Sequence, residues 1–92
     1  MPFPGTRQDV ADVVVDVIRT FHHNPTIVEA TGFGQDIIVD GLVRRTYAGR
    51  IITKLDERFP GTIVTRFDGD VCERAARVRD IVDSLWGELQ PR

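Results

Sequence analysis

The chain has a single cysteine, Cys72, and a single serine, Ser84, among its 92 residues. One cysteine excludes an intrachain disulfide. With no basic partner close in sequence, Cys72 reads as a small core residue of a helix rather than a nucleophile. Ser84 lies deep in a helical stretch with no histidine near it, which argues against a hydrolase triad. No apolar run approaches the roughly 20 residues that cross a bilayer. The opening Met1-Pro2-Phe3-Pro4-Gly5 lacks a charged region followed by an apolar core, so a cytoplasmic, membrane-free protein is expected. His22 and His23 are adjacent and cannot chelate one ion as an i, i+4 pair does. With no further ligands in view they read as helix-end residues favoured by the negative pole of the dipole, and no metal is expected. Gly32-Phe33-Gly34 is too short to cradle a phosphate and no Lys-Ser/Thr follows, so it reads as a turn or hinge. The carboxylates are scattered as on solvated faces. No constellation for acid–base or nucleophilic work emerges, and a binding module is expected rather than an enzyme.

What is present is an ordinary globular composition, 41% apolar and 28% charged, in a length that suits one domain over residues 1–92. The formal net charge of −2 argues against sequence-independent nucleic-acid binding. That average hides an asymmetry: nine of the twelve basic residues fall between Arg44 and Arg79, against five acids there. Eleven of the twelve are arginine, which suits bidentate contacts to carboxylates or phosphates.

Apolar residues at three- and four-residue spacing predict three helices. The first runs from Arg7 to His23, with Val10, Val13, Val14, Val17, Ile18 and Phe21 on one stripe, Thr6 and Asp9 as a capping pair, and Asn24-Pro25 as its stop. The second runs from Leu42 to Phe59, with Tyr47, Ala48, Ile51, Ile52, Leu55 and Phe59 inward and arginines outward, and Pro60-Gly61 ends it. The third runs from Val71 to Leu89, with Asp70 and Glu73 as cap and N3 partner. Thr26–Ala30, Gln35–Asp40 and Thr62–Phe67 are short and β-branched, readable as strands or as extended connectors. Two architectures follow: an all-α bundle of three main helices with a long first loop, or an α+β fold in which the extended segments pair into a small sheet.

Arg44 and Arg45 stand at the start of the second predicted helix, where the dipole disfavours cations. A misplaced exposed pair marks them as candidate contacts for an acidic partner or a phosphate group.

The order of these features resembles the acyl and peptidyl carrier proteins, small helical bundles that carry substrates on a phosphopantetheine arm. The segment Asp36-Ile37-Ile38-Val39-Asp40-Gly41-Leu42 stands where that family has its attachment motif, and Ile27 stands for its core-plugging loop residue. Leu55-Asp56-Glu57-Arg58-Phe59 is similar to the family's helix-two ending, and Val78–Leu85 to its last helix. The chain departs from the pattern at Gly41, which replaces the attachment serine and has no side chain to modify, and at Ile38, which replaces a glycine. The second helix is about one turn too long and basic where the family's is acidic.

The resemblance implies an armless carrier-like module of a polyketide, fatty-acid or nonribosomal-peptide pathway, working by protein–protein docking. Asp40, Gly41 and Leu42 would mark the vestigial cofactor position, with no cofactor bound. The partner would be a biosynthetic enzyme or other protein with an acidic docking surface, met by Arg44, Arg45 and Arg50 with Tyr47 as an apolar anchor. The alternative architecture implies a small α+β interaction or regulatory module.

Overall fold

Thr6 and Asp9 open the first helix as the sequence predicts. The Thr6 amide donates to Asp9 Oδ2 at 2.7 Å and the Asp9 amide donates to Thr6 Oγ1 at 3.2 Å, a reciprocal cap with aspartate in the place glutamate usually takes. The computed structural model describes residues 3–22 and 40–89. The expected segment Thr26–Ala30, and Gln35–Asp40 apart from Asp40 itself, lie outside the described residues, and so do His23 and Phe33.

Five helices are present among the described residues: α1 Arg7–His22, α2 Gly41–Arg45, α3 Tyr47–Arg58, α4 Gly69–Arg74 and α5 Val78–Leu89. No strand occurs among those residues. The chain is all-α there, as the first of the two architectures requires.

α1 is the central element. Val10, Ala11, Val13, Val14, Val17 and Ile18 are all buried, an arc wider than one stripe because α1 packs on both α3 and α5. Asp9 pairs with Arg58 at 3.7 Å and Asp16 with Lys54 at 2.6 Å, which sets α1 antiparallel to α3. Arg7 pairs with Asp83, while Phe3, just before the helix, meets Trp86 edge-on at 6.2 Å, so α1 also runs antiparallel to α5. Ile51 and Leu55 of α3 and Ile81, Val82 and Leu85 of α5 fill the space between.

The two longer helices expected from periodicity are each divided. The stretch Leu42–Phe59 breaks at Thr46, whose amide and hydroxyl both donate to the Val43 carbonyl, at 3.0 and 2.7 Å. That three-residue turn takes the acceptor a continuing α-helix would use one residue later. The start of the predicted second helix is thus a separate short helix, α2. At the far end, Gly61 adopts φ +88, a left-handed conformation glycine enters without strain.

The stretch Val71–Leu89 breaks over residues 75–77. Ala75 turns extended, with ψ 123, and Asp80 Oδ2 accepts the Arg77 amide at 3.0 Å to start α5 afresh. The cap of α4 is Asp68, accepting the Asp70 and Val71 amides at 2.9 and 3.2 Å, rather than Asp70. Asp68-Gly69 is therefore a cap and a first helical residue, not a free turn.

Residues 62–67 form an irregular connector, bent at Thr65 and Arg66, instead of a strand. Its polar backbone is held by one carboxylate: Glu88 Oε1 accepts the Thr65 and Arg66 amides at 3.0 and 3.1 Å and the Thr65 hydroxyl at 2.7 Å. These bonds hold the Glu88 carboxyl below its ordinary range, the Thr65 hydroxyl contributing most. Donors satisfied by a side chain need no neighbouring strand.

Gly49 and Gly87 lie inside α3 and α5, and a Cβ added at either meets nothing within 4 Å. Gly49→Ala and Gly87→Ala should each raise stability by about 0.5–1 kcal/mol through lower chain entropy in the unfolded state. Urea unfolding would show this as a higher midpoint at unchanged slope.

Candidate functional site

The surface of interest is the short helix α2 and the helix beneath it. Asp40 caps α2 by accepting the Leu42 amide at 2.8 Å. None of the five α2 residues is buried, yet α2 lies closely against α4. Two glycines make the approach possible. A Cβ on Gly69 would stand 2.6 Å from Arg45 Cγ and 3.2 Å from the Arg45 carbonyl oxygen. A Cβ on Gly41 would stand 3.2 Å from both the Cγ and the carbonyl oxygen of Glu73. Each helix thus offers a bare backbone position to the other's long side chain.

Two arginines complete the junction. Arg44 Nη2 donates to the Glu73 carbonyl at 2.7 Å and Nε to the Cys72 carbonyl at 3.4 Å, satisfying the C-terminal end of α4. Arg45 Nη1 bridges the Asp70 and Glu73 carboxylates, the latter at 2.8 Å. Its hydrogen bonds to Asp70, then to Glu73, raise the Arg45 pKa above its ordinary value.

These contacts revise the expected site. Arg44 and Arg45 occupy the last turn of a separate helix, where the dipole favours cations, not the first turn of a long one. Their misplacement disappears, and both side chains already engage α4. Tyr47 is fully buried in the core and contacts the other helices rather than solvent, so it cannot serve as a surface anchor. The remaining expected residues lie outward. Leu42 is 68% exposed and Val43 40%. Arg50 sits on the outer side of α3 beside an open groove of about 540 Å³ between α1 and α3, lined also by Val17, Thr20, Gly49, Thr53 and Lys54. Asp40 and Gly41 lie at the α2 start and belong to the α2–α4 junction, so the structure brings Asp40, Gly41, Arg44 and Arg45 together and sets Tyr47 apart. Reading the sequence missed Gly69, Glu73 and Asp70 as the other half of this junction. The signal that could have found them is the spacing of Asp70 and Glu73, which puts two carboxylates on one helical face.

Cys72 is fully buried, and burial, assisted by the Asp68 carboxylate, pushes its thiol from 9.0 up to about 12. The sign of the effect on stability follows. The thiol ionises near its ordinary value in the unfolded chain but not in the folded one. The stability it contributes is therefore complete below pH 9 and is lost as pH rises from there toward about 12. The urea midpoint should fall over that range, and less steeply in Cys72→Ala, the difference between the two curves isolating the thiol.

Among the described residues no group of three or more His, Cys, Asp or Glu side chains is placed to hold a metal ion. No helix among them is long and apolar enough to cross a membrane.

No family model matches the chain, and no solved structure matches it. It is 30% identical over 95 residues to the chaperone protein ClpB of Corynebacterium diphtheriae, an alignment that takes in 96% of this chain. The chain spans only 11% of the length of that curated relative.

Proposed function

We propose that this chain is a non-catalytic protein-docking module whose docking face is the outer side of α2, centred on Leu42 and Val43. The observation that carries this reading is the mismatch between what α2 gives the core and how it is held. It buries none of its own residues, yet two glycines and two arginines fix it against α4. A helix that adds nothing to its own core has no folding reason to carry adjacent apolar side chains outward, whereas a recognition surface does. The likeness to a chaperone protein supports a polypeptide as the partner.

The test is a photo-crosslinking residue placed at Leu42 in the cell. A discrete covalent adduct is expected there and none from the same residue at Ser84, which is exposed on α5. No adduct at Leu42, or equal adducts at both positions, would sink the proposal.

A second reading is the carrier-like module of a polyketide, fatty-acid or nonribosomal-peptide pathway. One observation favours it: Asp40 caps a helix that starts at Gly41, so Asp40-Gly41-Leu42 opens a helix as the carrier motif does. Gly41→Ser treated with a promiscuous phosphopantetheinyl transferase should then gain the mass of the arm, while the native chain gains none. An unmodified variant removes the motif's register, and the proximity of Glu73 to any side chain at this position weighs toward that result.

A further inference from the structure

The attachment of α2 differs in kind from that of α1, α3 and α5. Those helices are held by buried apolar side chains. α2 is held through Arg44 and Arg45, and lifting it from α4 exposes no buried side chain of its own. We propose that α2 is an ionic latch, opened when an acidic segment of the partner takes Arg45 from Asp70 and Glu73. The occupant in this proposal rests on the docking reading above; the latch does not.

The two arginines are unequal. Arg45 and its two carboxylates are each well exposed, with 49% of the Arg45 side chain, 57% of Asp70 and 38% of Glu73 open to solvent. Such pairs are weak and are screened by salt. Arg44 is half-buried and bonds to backbone carbonyls, which carry no net charge to screen. A competing carboxylate therefore reaches Arg45 first and leaves Arg44 as the pivot. The hinge is Thr46, which joins α2 to α3 and provides α3 with no side-chain cap. Arg45 holds Asp70 and Glu73 through Nη1 alone, whereas a guanidinium can donate two parallel hydrogen bonds to a single incoming carboxylate, so the exchange costs little. The partner that fits places an acidic residue next to an apolar one, matching Arg45 beside Leu42 and Val43.

Amide hydrogen exchange on the intact protein tests this, with a decamer of glutamate as the probe. The α2 amides that bond to Asp40 and Val43 carbonyls, those of Val43, Arg44 and Thr46, are the reporters. They should exchange roughly three- to tenfold faster at about 0.5 M than at about 0.05 M sodium chloride, while Val14 and Val82 in the core stay unchanged. The decamer should accelerate them more than sodium chloride does at matched ionic strength. Arg45→Gln should exchange fast at low salt and ignore the decamer. Exchange at α2 that is independent of salt, or that follows Val14 and Val82, overturns the latch. An equal effect of decamer and salt overturns the acidic occupant. None of these measurements needs the partner, so a working latch with no adduct at Leu42 would sink the docking reading alone, and an adduct without salt-sensitive opening would sink the latch alone.

Discussion

Tyr47→Ala should destabilise the protein by about 3–5 kcal/mol, the range for truncating a large buried ring. Tyr47 is the largest of the fully buried side chains among the described residues and stands at the first turn of α3. It joins the core where α3 leaves the Thr46 hinge, so its loss empties the space beside α1 and loosens the link between the two halves of the predicted second helix. A small domain has about 5–15 kcal/mol of total stability, so the variant should be largely unfolded in mild urea or at moderately raised temperature. Tyr47→Phe keeps the ring and should keep most of the stability. Arg50→Ala, on the outer side of α3, should change stability by no more than about 0.5 kcal/mol. Circular dichroism against urea separates these cases. If Tyr47→Ala instead melted like the native protein and lost only partner binding, the ring would be a surface anchor after all.

The contrast between Tyr47 and Leu42 shows what the sequence reveals and what it hides. The stripes of α1, α3 and α5 are visible because burial is a one-dimensional pattern: a residue repeated every three or four positions faces one way. The existence of those helices follows from the stripes, and so does the inward position of Ile51, Leu55, Val82 and Leu85, but the stripes leave the choice between an all-α bundle and an α+β fold open. The breaks are invisible to the same pattern. Thr46 and Ala75 interrupt the hydrogen-bond ladder without interrupting the apolar spacing, because Ala75 and Val78 remain buried on either side of the second break. What divides these helices is acceptor competition, by the Thr46 hydroxyl and amide at Val43 and by Arg44 at Cys72 and Glu73. The last of these lies 28 and 29 residues away in sequence. The same distance hid the site. Arg44 and Arg45 stand out as charged residues at a helix start only while Leu42–Phe59 is one helix. Once it is two, they become C-terminal residues with partners on α4, and the surface left over is the apolar pair beside them. Glu88, whose carboxylate replaces a strand partner for Thr65 and Arg66, is illegible for the same reason.

Gly69→Ala is expected to be the most informative single methyl in the chain. Its Cβ would lie 2.6 Å from Arg45 Cγ, a carbon near the base of that side chain, and 3.2 Å from the Arg45 carbonyl oxygen. Rotating the guanidinium away does not clear the contact, so α2 must shift from α4 by a few tenths of an ångström or more. Overpacking of this kind costs about 1–3 kcal/mol. Because alanine is otherwise the better helix former, the intrinsic propensity change opposes the loss at Gly69 and acts unopposed at Gly49, where the same methyl meets nothing. The sign of the pair is therefore diagnostic: Gly49→Ala raises the urea midpoint and Gly69→Ala lowers it or leaves it level while α2 alone loosens. Exchange at Val43, Arg44 and Thr46 should rise in Gly69→Ala even at low salt, since the displaced Arg45 no longer bridges Asp70 and Glu73. Global unfolding in Gly69→Ala, with α1 and α5 amides exchanging in step with α2, would show that the α2–α4 junction is part of the core's cooperative unit. Selective loosening shows that it is an attachment made by close backbone approach and two arginines, separable from the three helices that hold the fold.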